Sequence, residues 1–269
     1  MSAAAELVIQ DLRKVFFPRT VNEVMALKDV SLRVAPGDFI TIIGSNGSGK
    51  STLLNTIAGT LPATSGTLIL DGQDITKLSE HRRAKFIGRV FQDPRAGTAP
   101  SMSIQENMAM AYLRGRRRGL GPGVPRRIKS RMRERLAELD MGLEDRLTSQ
   151  VNKLSGGQRQ AMSLLMATVA EPRMLLLDEH TAALDPKVAA TIMELTGKIV
   201  NDSHMTTMMV THNMEIALQW GNRLIMMHAG RIILDLAKEQ KALLTVPDLV
   251  NKFHEASGET LAIDSMLLE

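Results

Sequence analysis

A five-residue run, Phe39–Ile43, apolar but for Thr41, leads straight into Gly44, Ser45, Asn46, Gly47, Ser48, Gly49, Lys50 and Ser51, after which Ser51 to Ala58, beginning Ser51-Thr52, reads as a helix. No other segment constrains the fold as tightly. A short, continuously apolar, β-branched run marks a strand buried on both faces. The pattern G-x-x-x-x-G-K-[ST] between such a strand and a helix lets successive backbone N–H groups turn inward around phosphate oxygens, because glycine carries no Cβ to obstruct them. The helix that follows aims its N-terminal partial positive charge at the same oxygens. Lys50 is then placed to bridge the β- and γ-phosphates of a nucleotide, and the Ser51 hydroxyl to hold Mg²⁺.

Around this loop the chain alternates. Leu7 to Phe16 and Ala26 to Val34 read as strands, with a turn at Pro36-Gly37-Asp38. Leu68 to Leu70 ends at Asp71-Gly72, and Ile87 to Phe91 is a further strand. From Ile104 to Val151 the pattern is helical, broken by the Gly/Pro-rich stretch 119–125, which predicts an inserted helical subdomain. A helix from Gln158 to Ala170, a strand Met174 to Leu177, a helix Pro186 to Asp202 and a strand Thr206 to Val210 follow. Such alternation argues for a parallel sheet with helices on both faces. Beyond Asp235 short helices and a tail are expected. The domain reading is an ATPase unit over 1–240, with the helical subdomain at about 100–165, and a short helical tail over 241–269.

Met174-Leu175-Leu176-Leu177-Asp178-Glu179 sets two carboxylates where a buried strand emerges, the usual ligand position of an open α/β sheet. Asp178 is the candidate Mg²⁺ holder through its water shell. Glu179 is the candidate base that orients or deprotonates an attacking water. An apolar run ending in Asp-Glu is weak evidence alone; beside the phosphate loop it gains force.

Leu154-Ser155-Gly156-Gly157-Gln158 then completes a set. It resembles the signature sequence of ABC ATPases, and the other motifs of that family follow in order: Gln92 resembles the Q-loop glutamine, Ala182-Ala183-Leu184-Asp185 the D-loop, and His212 the switch histidine. The resemblance covers about residues 6 to 235. It implies an α/β fold of the P-loop NTPase, ABC type: a mixed parallel core sheet, an N-terminal antiparallel β subdomain and the inserted helices. It further implies ATP and Mg²⁺ as cofactors, the metal meeting Ser51, Gln92 and Asp178. The signature, a hydroxyl and glycine amides at a helix N-terminus, forms an anion site; in the family it caps ATP bound to the other subunit. The implied assembly is a head-to-tail homodimer, or a pseudo-dimer with a paralogue. An aromatic residue of the N-terminal sheet usually stacks on adenine there. The Lys14-x-Phe16 spacing favours Phe16; as strand neighbours Phe16 and Phe17 face opposite sides, so only one can stack.

His180 departs from the family, which mostly has Pro after the catalytic Glu. With the segments 18–24 and 92–98, the variant resembles the ATPases of a tryptophan/tyrosine-type subgroup of bacterial importers. The implied partners are a transmembrane permease and, indirectly, a substrate-binding protein, with an amino acid or similar small solute as cargo. The bland alternative for His180 is a tolerated substitution with no catalytic part. His81, His204, His228 and His254 receive no role.

Composition bounds the rest. There are no cysteines, hence no disulfide and no Cys-bound metal. No apolar run approaches the length of a membrane span, and the start of the chain lacks the look of a secretory leader, so a cytoplasmic protein peripheral on the membrane's inner face is expected. The net charge of +4 hides ten Arg/Lys between Arg114 and Arg135 against Glu134 alone, a local +9. That segment lacks the aromatic interleaving of a nucleic-acid surface, and no nucleic-acid partner is expected. Rival readings are a nucleic-acid-associated ABC protein or the ATPase of a lipoprotein-release or Fe–S-assembly complex. The eighteen methionines read as core fillers.

Overall fold

The computed structural model of the chain describes residues 4–115, 123–124 and 126–257. In chain order its strands are β1 (Leu7–Phe16), β2 (Val24–Val34), β3 (Phe39–Ile43), β4 (Ser65–Leu70), β5 (Gln73–Asp74), β6 (Ile87–Val90), β7 (Met174–Asp178), β8 (Thr206–Val210), β9 (Arg223–His228) and β10 (Arg231–Ala237). The helices are α1 (Lys50–Ala58), α2 (Glu80–Arg83), α3 (Ile104–Tyr112), α4 (Arg126–Ala137), α5 (Gly156–Thr168), α6 (Pro186–Ser203), α7 (Met214–Gln219), α8 (Lys238–Lys241) and α9 (Val246–Ser257). They group into two compact units, one of residues 84–204 and one that joins residues up to Arg83 with those from Met205 onward.

The second of these carries the glycine loop. Its antiparallel sheet has the order β2-β1-β4-β5. Its other strands follow the order β10-β9-β3-β8, with β3 parallel to both β8 and β9. All five residues of β3 and all five of β8 are buried, which explains why neither carries a charged residue. Their threonines are satisfied internally: the Thr41 hydroxyl donates to the Ala217 carbonyl at 3.0 Å and that of Thr206 to Ala5 at 2.6 Å. Met205, Met208, Met209, Met226 and Met227 are all buried, as expected of core fillers, whereas Met25 on β2 is 40% exposed and fills no core.

In the other unit β6 and β7 pair in parallel, from Ile87↔Met174 to Val90↔Leu177. Helices α3 to α6 share a core that includes Met108, Met132, Leu136, Met162 and Leu165. A capping box at Ser103 and Glu106 starts α3, the Ser103 amide donating to the Glu106 carboxylate at 2.7 Å. The helical pattern read through to Val151 stops sooner: after Ala137 the chain makes successive turns, and a short 3₁₀ turn spans Val151–Lys153.

Two further differences have local causes. β1 ends at Phe16, and Phe17 adopts φ 51°, so the two phenylalanines are not alternating strand neighbours. β9 and β10 occupy a stretch that sequence alone left unassigned up to Asp235. Arg223 binds both carboxylate oxygens of Asp235 at 2.6 and 2.7 Å and clamps that antiparallel pair.

Arg83 ends the loop-bearing helix. Its guanidinium is buried and donates to the carbonyls of Thr56, Ile57, Thr76 and Leu78 at 2.7–2.9 Å. Two of those carbonyls belong to the last turn of α1, where a cation is favoured. Arg83→Met strands these buried acceptors and should lower unfolding free energy by about 3 kcal/mol, measured by chemical denaturation. A loss below about 1 kcal/mol would show that water or a rearranged backbone replaces the guanidinium.

Candidate functional site

The glycine loop is shaped by contacts that leave no room for side chains. A Cβ on Gly44, where φ is 147°, would lie 2.1 Å from the Met227 carbonyl oxygen. One on Gly49, at φ 104°, would lie 2.6 Å from that of Ala26. Gly47 instead has φ 77° with nothing near its missing Cβ, and it sits exposed at the tip with Asn46. The loop is thus pinned at both ends and open at its crown. Lys50 begins α1 and is 6% exposed; its ammonium donates to the carbonyls of Gly44 at 2.7 Å and Ser45 at 3.1 Å. The Ser48 hydroxyl is buried with no protein partner, an unsatisfied group of the kind a bound phosphate oxygen relieves. Ser51 is exposed and Thr52 half-buried in the first turn of the helix.

The same unit holds Phe16 and His212. Phe16 is half-buried at the end of β1, with the Lys14 ammonium 5.1 Å from its ring centroid. Phe17 is 65% exposed. His212, half-buried, lies between β8 and the N-cap residue of α7, Asn213.

In the unit of residues 84–204, the signature is the start of α5. Ser155 is the N-cap: its hydroxyl accepts from the Gln158 amide, and the Gln158 side chain accepts from the Ser155 amide, both at 3.2 Å. Ser155 and Gly156 are exposed, Leu154 is buried, and Gly157 is buried against α6. A Cβ on Gly157 would lie 2.4 Å from Val188 Cγ1. The two glycines therefore differ: one keeps the helix terminus open, the other lets α6 approach. Asp185, at the surface, caps α6 by accepting from the Val188 amide at 3.1 Å. Gln92 is exposed just after β6.

Asp178 ends β7, and Glu179 follows in the left-handed region at φ 45°, a conformation a non-glycine residue holds only where its surroundings impose it. Two neighbours of this pair were not singled out by sequence. Arg89 of β6 places a guanidinium nitrogen 3.5 Å from an Asp178 oxygen. A lone arginine in the apolar run Ile87–Val90 was the available signal. The other is Thr196. His180 is 2% exposed, and its Nε2 lies 3.0 Å from the Thr196 hydroxyl. That hydroxyl donates to the Ile192 carbonyl at 2.7 Å, so it accepts from His180, whose proton is therefore on Nε2. The ring after Glu179 is anchored in α6.

The described side chains of the basic segment do not share one surface. Arg114 tucks inward and donates to the Met166 carbonyl at 3.2 Å, and Arg135 pairs with Glu138 at 2.8 Å. Lys129 is half-buried on α4, and Arg131 and Arg133 are exposed there. Arg116, Arg117 and Arg118 lie outside the described residues.

A pinned glycine loop between a buried parallel strand and a helix, with lysine at the helix's first residue, defines a P-loop NTPase of the α/β class. Residues 27–182 match the family model described as ABC transporter. The chain is 46% identical over 252 residues to a tyrosine transport ATP-binding protein of Clostridioides difficile, covering 93% of this chain and 99% of that protein. It is 41% identical over 226 residues to a sulfate/thiosulfate import ATP-binding protein of Nitrosomonas europaea, covering 83% of this chain and 58% of the relative. A solved ATP-binding cassette, a dimer in a post-hydrolysis state bound to ADP and Pi, superposes with TM-score 0.74 at 30% identity, covering 86% of this chain and 98% of that one. The chain belongs to the ABC transporter family, and it is a nucleotide-binding, ATP-hydrolysing member of it.

Burial pushes the His180 imidazole down to about 4, from an ordinary 6.5. Between those values the unfolded chain takes up a proton that the folded one refuses, so stability falls as pH falls through this window and is fully present above it. From this residue alone, unfolding at pH 5 should cost about 2 kcal/mol less than at pH 7, and His180→Gln should lose that component. An identical pH dependence in the variant would mean His180 is accessible to protons.

Proposed function

We propose that this chain is the ATPase motor of a membrane importer, acting as a head-to-tail pair with a second copy or a close paralogue and coupled to a separate permease. In this reading it works at the cytoplasmic face of the membrane. Among the described residues no helix is long and apolar enough to cross a bilayer. The observation that carries the reading is 46% identity, across nearly the whole of both chains, to a protein named for tyrosine transport. The cargo we favour is accordingly an aromatic amino acid or similar small solute, delivered by a binding protein. The import names of other relatives, for sulfate/thiosulfate and methionine, favour import over lipoprotein release or Fe–S assembly.

In the proposed mechanism Phe16 stacks on adenine while the loop amides of Gly44 to Ser51 and the Lys50 ammonium hold the phosphates. Lys50 exchanges its present bonds to the Gly44 and Ser45 carbonyls for phosphate oxygens. Ser155 and Gly156, open at the start of α5, cap the triphosphate held by the partner copy. Glu179 orients the attacking water and accepts its proton, and His212 completes the polar contact to the terminal phosphate. The donor set Ser51, Gln92 and Asp178 is all hard oxygen, and no cluster of three or more His, Cys, Asp or Glu able to hold a metal occurs among the described residues. That fits Mg²⁺, which is held by one or two side chains together with substrate phosphates and waters. The metal, when bound, neutralises charge on the phosphates. Asp185 and Gln158, committed to helix caps, act by holding their termini in shape.

Glu179→Gln should keep ATP affinity and lower turnover by about 100-fold or more, trapping an ATP-bound dimer visible by gel filtration. Near-normal turnover would remove Glu179 from the base role. Lys50→Ala should instead weaken ATP binding by about tenfold or more, read by equilibrium titration. For the paired arrangement, mixed Ser155→Arg and Lys50→Ala chains should retain at most one intact site. Full turnover by each chain alone, independent of concentration, would exclude it.

A further inference from the structure

Arg89 is the third residue of β6, a strand whose other members, Ile87, Gly88 and Val90, are buried. Its backbone pairs with Leu176, two residues before Asp178 on β7. Its side chain is 11% exposed and that of Asp178 13%. One face of the guanidinium rests on the Phe91 ring, 4.4 Å from the centroid. One nitrogen reaches an Asp178 oxygen at 3.5 Å, close enough for a strong charge interaction but longer than a good hydrogen bond. A largely buried arginine is costly unless its charge is answered, and this one is answered by a carboxylate and an aromatic face.

We propose that Arg89 is a positioning residue that serves as the resident counter-cation of Asp178 and competes with the divalent metal for it, so that it sets how strongly nucleotide binding depends on Mg²⁺. The inference rests on the reading of Asp178 as the residue that meets the metal. Asp178 and Glu179 are adjacent negative charges, and a nucleotide arriving without metal adds more. Arg89 lowers that repulsion, so metal-free nucleotide is tolerated. The same positive charge opposes a dication brought to the Asp178 carboxylate, in a site shielded enough for charges to act over several ångströms. The 3.5 Å separation suits such sharing, since a charge interaction at that length tolerates small shifts of either group better than a short, aligned hydrogen bond does. The cation–π contact holds the guanidinium in place while its partner's attention shifts.

The test is the ratio of dissociation constants for a fluorescent ATP analogue on the full chain, in excess chelator over saturating Mg²⁺. Arg89→Met keeps the length and the packing on Phe91 but removes the charge. It should raise that ratio at least about fivefold, chiefly by weakening the metal-free complex. Arg89→Lys, which restores a positive charge, should return the ratio to near the wild-type value, a rescue that packing alone would not produce. Arg89→Gln, a polar neutral variant, should behave like Arg89→Met and serves if that variant fails to fold. An unchanged ratio in the neutral variants, or equal ratios for Met and Lys, would overturn the proposal. Asp178→Asn separates the two readings: it should reduce the ratio. If it does not, Asp178 is not the metal residue; if it does while the Arg89 variants change nothing, only the role of Arg89 fails.

Discussion

The approach of Gly44 to the Met227 carbonyl, with Gly49 against that of Ala26, leaves no space for a methyl group at either position. Those two contacts tie the loop to β9 and β2, elements far from it in sequence. β3 feeds the loop from between β8 and β9, so its end is held by parallel hydrogen bonds on both sides. At the far end of α1 the Arg83 guanidinium gathers the last carbonyls. A phosphate cradle must keep its amides converging before any phosphate arrives, because the cost of ordering them would otherwise fall on binding. Here strand pairing, steric exclusion and a buried cation share that task.

The second cluster of site residues obeys a different logic. At the start of α5 and of α6 some of the terminal amides, those of Ser155, Gln158 and Val188, are satisfied by the side chains of Gln158, Ser155 and Asp185. The caps fix the direction of each helix end, and in the proposed mechanism the helix dipole then supplies the partial charge for a terminal phosphate. Glu179 stands apart. It carries backbone strain at φ 45°, directly before a histidine whose ring is fastened to Thr196.

Much of this was legible in the sequence because the signals were local. β3 announced itself as a nearly continuous apolar run, β8 by its place in the helix–strand alternation, the loop by its glycines, and the signature by five consecutive residues. The ends of elements and the non-local pairs were not legible. β9 and β10 escaped because Arg223–His228 mixes methionines with charged and polar ends, and their pairing depends on an Arg223–Asp235 clamp across twelve positions. Phe17 was read as a strand residue because nothing in its type signals a left-handed backbone. His180 was visible as an oddity, yet its partner lies 16 residues away on another element. Arg89 was overlooked for the same reason: its meaning is Asp178, which only the pairing of β6 with β7 brings near.

Gly157 carries a consequence of another kind. Its hydrogen faces Val188, while the neighbouring Gly156 sits within contact range of Leu184. The two helix starts therefore have no slack between them, and neither shifts without carrying the other. Through evolution the pair should behave as one character. A larger residue at 157 becomes tolerable only when 188 shrinks, so the two positions should covary in descendants of this chain. Mechanically the same fit makes the surface that holds Ser155 and the turn that holds Asp185 a single rigid jaw, and a push delivered to either end of α6 would arrive at both.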